Sequence, residues 1–170
     1  MLKLFGSMLL LAGCSGAGII LVKRLENRAK ILQSMISVLE IMEREMGFRL
    51  STLDEIIDAA RRDVSGPVKE FLCRCLTVLN EKCDVLFSEI WSQALNECLP
   101  MLNWTDRESM LALGAVLGRY DAESQKQMIE HVRMRLEESL AEAKKECRSH
   151  GKVYRTVGAT AGALLVILLL

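Results

Sequence analysis

Residues 121–170 read DAESQKQMIEHVRMRLEESLAEAKKECRSHGKVYRTVGATAGALLVILLL, and the fold is decided by how the first half of this stretch runs into the second. Met128, Ile129, Val132, Leu136, Leu140, Ala143 and Cys147 recur at spacings of three and four, which gives a helix one apolar face. The same helix then enters fifteen uncharged residues, Thr156 to Leu170. At 1.5 Å per residue these cover roughly 22 Å. Starting the span at Val153, with Arg155 snorkelling, extends it to about 27 Å, close to the ~30 Å of bilayer hydrocarbon. The stretch predicts one helix that leaves a protein core and enters a membrane.

The other end of the chain has the same form. Leu4 to Val22 is nineteen residues without a charge, roughly 28 Å as a helix, with Lys3 before it and Lys23, Arg24, Arg28 and Lys30 after it. Lys152 and Arg155 flank the second span as Lys23 and Arg24 flank the first, so the positive-inside rule places the segment between them in the cytoplasm. The expected organisation is a transmembrane helix over 1–22, a cytoplasmic helical domain over 23–152 and a second transmembrane helix over 153–170. A competing reading rests on Leu11-Ala12-Gly13-Cys14, which has the form of a lipobox and would make the chain an exported lipoprotein with a helical scaffold or sensor domain. Against it, cleavage before Cys14 would leave Gly16 to Val22 apolar where a polar tether is usual.

Charge is balanced at 22 basic against 22 acidic residues, so no global field attracts nucleic acid, and an electrostatic partner must be recognised by local patches. Two prolines and abundant Leu, Ala, Met, Glu, Lys and Arg favour helix throughout. From Arg24 to Met46, Leu25, Leu32, Leu39 and Met46 recur at sevens, with Ala29, Met35, Ile36 and Met42 between them, which predicts a long core-facing helix ended by Gly47. Ser51 or Thr52 caps a second helix carrying Leu53, Ile56, Ile57 and Ala60. Ser65-Gly66-Pro67 is a turn into a third, buried through Val68, Phe71, Leu72, Cys75, Val78 and Leu79. A fourth, roughly Leu86 to Cys98, presents Phe87, Ile90, Trp91, Ala94 and Leu95. Thr105-Asp106-Arg107-Glu108 has the form of a capping box, with Thr105 and Glu108 as the reciprocal pair, and starts a fifth helix carrying Met110, Leu111, Leu113, Val116 and Leu117. Gly114 and Gly118 are assigned structural roles, close packing and a C-terminal stop, and Asp121 caps the last helix. The fold class is all-α, a six-helix up-down bundle flanked by the two membrane helices.

The chain contains no phosphate loop, nucleophile elbow, His-Glu-x-x-His or dinucleotide fingerprint. Six cysteines include no Cys-x-x-Cys pair, which argues for reduced thiols in a cytoplasmic setting; a thiol or metal sensor built on Cys73, Cys75, Cys83 and Cys98 is the minor alternative. The expectation is a protein without enzymatic activity or cofactor, whose surface carries the function. Around Gly118 to Gln125 the chain turns at the end of the bundle farthest from the membrane. Arg119, Asp121 and Gln125 are therefore the first candidate contact residues, and the charge run with Glu137, Glu138 and Glu142 supplies a second.

The basic start Met1-Leu2-Lys3-Leu4 and its apolar span, a helical domain with Trp91, the segment Leu113-Gly114-Ala115-Val116-Leu117-Gly118-Arg119-Tyr120-Asp121 with Gln125 beyond it, and the tail Tyr154 to Leu170 together resemble the stage III sporulation protein AB family of endospore-forming bacteria. That family in turn resembles the cytoplasmic domain of the type II secretion F protein, a six-helix bundle. The resemblance implies a mother-cell membrane protein, facing the forespore, of the channel or feeding-tube complex. It also implies partners: a sporulation ATPase, the stage III AA protein, and other membrane proteins of the channel. Beside these, the bilayer and further copies of the chain are expected partners, and nucleic acid is not.

Overall fold

A computed structural model describes the backbone of residues 2–48, 52–81, 85–119 and 121–169, and the side chains of 23–46, 52–81, 85–119 and 121–149. Among the described residues six helices follow one another: α1 (Leu2–Phe48), α2 (Leu53–Arg62), α3 (Pro67–Glu81), α4 (Phe87–Cys98), α5 (Trp104–Val116) and α6 (Ala122–Leu169). No strand occurs among the described residues. The chain divides into two compact units, Lys30–Leu140 and the paired segments Met1–Ala29 and Ala141–Leu170.

The 47 residues of α1 and the 48 of α6 are unbroken helices. Gly47 therefore does not end α1, which runs one residue past it. Among the described residues no helix is long and apolar enough to cross a membrane; the expected spans over 1–22 and 153–170, with Lys152, Arg155 and the Leu11–Cys14 lipobox, lie outside the residues whose side chains are described, and Cys83 lies outside the described residues altogether.

Within Lys30–Leu140, α1 supplies Leu32, Met35, Val38, Leu39 and Met42 to the core and α6 supplies Ile129, Val132, Leu136 and Leu140. Ion pairing ties the two helices together, with Arg133 Nε 3.7 Å from Glu43 and its guanidinium also donating to Glu137 Oε1 at 2.7 Å. Between them α2 packs on α3, α3 on α4 and α4 on α5. Helix α2 follows its local chemistry: the backbone N–H of Thr52 donates to Glu55 Oε2 at 3.1 Å in a capping-box arrangement, acids occupy the first turn, and Arg61 and Arg62 occupy the last, where they complement the helix dipole. Both arginines close onto Asp58 at 2.5 Å and hold its carboxyl below the usual range. Gly66, at φ +66°, makes the turn into Pro67, whose missing N–H falls where a helix has no use for one.

Trp91 is the centre of this unit. Its fully buried indole meets Phe71 edge-on at 4.7 Å and Phe87 at 5.6 Å, and its ring N–H donates to the Met110 carbonyl at 2.7 Å. Gly114 lies directly against the ring: a Cβ there would fall 2.3 Å from Trp91 Cδ1. One glycine thus lets α5 approach α4 closely enough for the indole to bridge them.

Several expectations are corrected. Thr105 and Glu108 do not cap α5. Asn103 is the cap, its extended backbone at φ −72° and ψ 175° presenting the carboxamide oxygen to the Asp106 N–H at 2.7 Å, so the helix starts at Trp104 and Thr105 is already in its first turn. There the Thr105 carbonyl accepts from the Ser109 hydroxyl at 3.0 Å. Leu111 is exposed, because the face turned to Trp91 is that of Met110, Leu113, Gly114 and Leu117. Val78 and Leu79 in α3 are half-buried, since its buried stripe ends at Cys75.

Candidate interaction surface

The turn from α5 into α6 is built by a short run of residues, each with a separate task. Leu117 is fully buried with φ −59° and ψ 128°, Gly118 follows at φ +78°, and the Arg119 N–H donates to the Val116 carbonyl at 3.2 Å, the signature of a type II turn that needs glycine at its third position. Gly118 also packs closely, since a Cβ there would lie 3.3 Å from Leu53 Cδ2 and 4.0 Å from Phe87 Cβ. The turn is thereby seated on the first residues of α2 and α4.

Asp121 restarts the helix. Its two carboxylate oxygens accept from the Ser124 N–H and the Ser124 hydroxyl, each at 2.9 Å, and these bonds hold its pKa below the ordinary 3.8. Because the folded pKa is depressed, the stability Asp121 contributes is present above the unfolded value and is lost as pH falls through the folded one. The difference in urea midpoint between wild type and Asp121→Ala is accordingly expected to be full at neutral pH and to shrink as pH falls below the ordinary carboxylate value and through the depressed folded one, whereas Asp121→Asn keeps a cap and loses that pH dependence. A wild-type to Asp121→Ala difference that stays constant through the whole acid range in which carboxylates titrate would remove the charged cap from the account.

Gln125 turns back on the loop: its side-chain oxygen accepts from the Gly118 N–H at 3.4 Å and its own N–H donates to the Asp121 carbonyl at 3.1 Å. Of the three residues expected here, Asp121 and Gln125 hold the turn, while Arg119 is exposed with no partner for its guanidinium among the described residues. In the second expected cluster Glu137 is engaged by Arg133, and Glu138 and Glu142 are exposed without an ion pair among the described residues. Lys23 and Arg24 are exposed.

Leu53 and Phe87, which seat the turn, are distant in sequence from it and were legible only as core positions of their own helices. Trp104 belongs to no motif in the sequence, yet it is 78% exposed. Its signal was an indole in the first helical turn, out of phase with the buried Met110, Leu113 and Leu117. The described cysteines are free thiols: burial, with the nearby Cys98 adding to it, pushes the Cys75 thiol up to about 12, and Cys73 and Cys98 are half-buried. Among the described residues no group of His, Cys, Asp and Glu could hold a metal ion.

The likeness to known proteins runs over nearly the whole chain. The stage III sporulation protein AB from Bacillus subtilis (strain 168) is 24% identical over 172 residues, covering 100% of each chain. A solved structure of a stage III sporulation protein AB superposes with a TM-score of 0.63 at 21% identity, covering 71% of this chain and 96% of the other, a likeness of fold. The sequence profile of the stage III sporulation protein AB family matches residues 3–170. With its six helices and a match that runs nearly end to end, the chain belongs to the stage III sporulation protein AB family.

Proposed function

We propose that this protein is a non-enzymatic membrane platform of the sporulation channel between mother cell and forespore, with its bundle on the cytoplasmic side of the mother-cell membrane, where it docks an ATPase, the stage III AA protein. The observation that carries the reading is the continuity of α1 and α6. Each is an unbroken helix whose outer part is a charge-free apolar stretch and whose inner part supplies the bundle core. Basic residues at the junctions, Lys23 and Arg24 with Lys152 and Arg155, suit a cytoplasmic orientation. On this reading a rigid helix at each end transmits position between bilayer and bundle, and the exposed surface of the bundle is available to a partner.

The topology test treats inside-out vesicles and intact cells with protease after alkaline carbonate washing of a parallel sample. The protein is expected to stay with the carbonate-washed membrane, and the segment between Lys23 and Lys152 to be cut only where the cytoplasmic face is open. Extraction by carbonate, or cleavage from outside intact cells, overturns the platform reading.

The docking surface is tested separately. Arg119→Glu reverses an exposed charge on a turn whose conformation depends on Gly118, Asp121 and Gln125 rather than on the arginine side chain. It is expected to leave thermal stability unchanged and to lower recovery of the stage III AA protein in co-purification about tenfold, the equivalent of ~1.4 kcal/mol. Charge reversal at Glu138 and Glu142 is the companion variant. Full recovery with Arg119→Glu but loss with Glu138→Lys and Glu142→Lys moves the contact onto α6.

A further inference from the structure

Helix α5 is apolar on two faces and covered on one. Met110, Leu113 and Gly114 are buried against the core, while Trp104 at 78%, Met101 just before the helix at 44% and Leu111 at 37% stand exposed, with Ala112 and Ala115 exposed beside them. Helices apolar on both sides belong in interiors. Trp104, Glu108, Leu111 and Ala115 are spaced by four, three and four residues, the seam spacing at which one helix packs along another.

We propose that this face of α5 pairs with the same face of a second copy of the chain, the two helices lying antiparallel about a two-fold axis between Glu108 and Leu111. Size is the first reason. The seam carries a large side chain at its start, Trp104, and a small-residue shelf at its end, Ala112 and Ala115. Antiparallel pairing sets each indole over the other copy's shelf, the self-complementarity that a two-fold contact requires. Charge is the second. Glu108 is exposed in the middle of the seam. A parallel pairing would bring two Glu108 carboxylates face to face, whereas the antiparallel one offsets each from the other and toward Leu111 of the other copy, and sets the positive end of one helix dipole against the negative end of the other. Area sets the strength. Trp104 alone offers on the order of 200 Å², and the whole seam on the order of 400–500 Å² per copy, close to the roughly 500 Å² per partner at which specific contacts begin. The pair is therefore reversible and concentration-dependent.

The test uses the full chain in detergent, with sedimentation velocity over a concentration series. Wild type is expected to pass from monomer to dimer. Trp104→Ala weakens the association at least tenfold, and so does Ala115→Trp, because two facing indoles cannot both seat at the spacing the alanines allow. The double variant Trp104→Ala with Ala115→Trp restores it, because knob and shelf have changed ends. Both positions are exposed, so each variant is expected to retain wild-type far-ultraviolet circular dichroism and melting temperature. A chain that remains monomeric throughout, a Trp104→Ala variant that pairs as tightly as wild type, or a double variant no better than the singles overturns the proposal.

Discussion

Trp91→Ala is expected to remove about 3–5 kcal/mol of stability, a large part of what a domain of this size possesses, and Gly114→Ala a net ~2 kcal/mol by a different route. The indole is fully buried between Phe71 and Phe87 and joined to the Met110 carbonyl, so its deletion opens a cavity that three helices line. At Gly114 the local and tertiary effects oppose one another. Alanine in a helix interior is favoured over glycine by about 1 kcal/mol, but here its methyl would sit 2.3 Å from Trp91 Cδ1 and 2.6 Å from Cγ. The ring cannot retreat, since Phe71 and Phe87 occupy its flanks and its N–H is fixed by the hydrogen bond. Overpacking of this kind costs roughly 1–3 kcal/mol, and with a contact of 2.3 Å the upper end applies, ~3 kcal/mol against a propensity gain of ~1 kcal/mol. The two effects are coupled. In a Trp91→Ala background the methyl enters freed space, so Gly114→Ala becomes neutral or stabilising by up to ~1 kcal/mol, a coupling of about 2–3 kcal/mol in a double-mutant cycle. Urea unfolding of the four proteins, followed by circular dichroism, measures it. An equal cost of Gly114→Ala in both backgrounds would show that the glycine is needed for something other than the indole.

The same pair shows what the sequence could and could not display. Where one face of a helix is apolar and the other charged, as in α2 with Ile56, Ile57 and Ala60 opposite Asp54, Glu55 and Arg62, spacing alone identified both the helix and its buried side. In α5, Met110, Leu111 and Leu113 are nearly contiguous, so periodicity cannot choose between two apolar faces, and only the structure shows Leu111 exposed. The choice is made by Trp91, nineteen residues away from the carbonyl it binds, through a contact that no local pattern encodes. The start of α5 was misplaced for a related reason. Asn103 and Thr105 are both good caps, and only the backbone, extended at Asn103, decides which side chain reaches a free N–H. At the candidate surface, Gly118 as a stop and Asp121 as a cap were readable from residue type and position. The inward turn of Gln125 and the seating of the loop on Leu53 and Phe87 were not, because they depend on how non-adjacent helices meet.

Replacement of Gly118 by valine is the second change expected to act strongly, and its effects separate the turn from the surface built on it. At φ +78° a β-branched side chain meets its own backbone, and Cβ would also press on Leu53 Cδ2 at 3.3 Å. The left-handed conformation costs a non-glycine residue roughly 1–2 kcal/mol, and with branching and the Leu53 contact the expected loss is about 2–4 kcal/mol. Asparagine, which tolerates this region of backbone space, is expected to lose less than half as much. The consequence for binding follows from the bonds at the turn: if Gly118 flattens, its N–H leaves Gln125, the Arg119 bond to Val116 breaks, and Arg119 moves away from the end of the bundle. Gly118→Val is therefore expected to lower both the melting temperature and recovery of the ATPase, whereas Arg119→Glu lowers recovery alone. A Gly118→Val protein that melts like wild type would mean that the positive backbone angle is not a requirement of the folded chain. A Gly118→Val protein that is destabilised yet binds fully would mean that the turn sustains the bundle and the partner docks elsewhere.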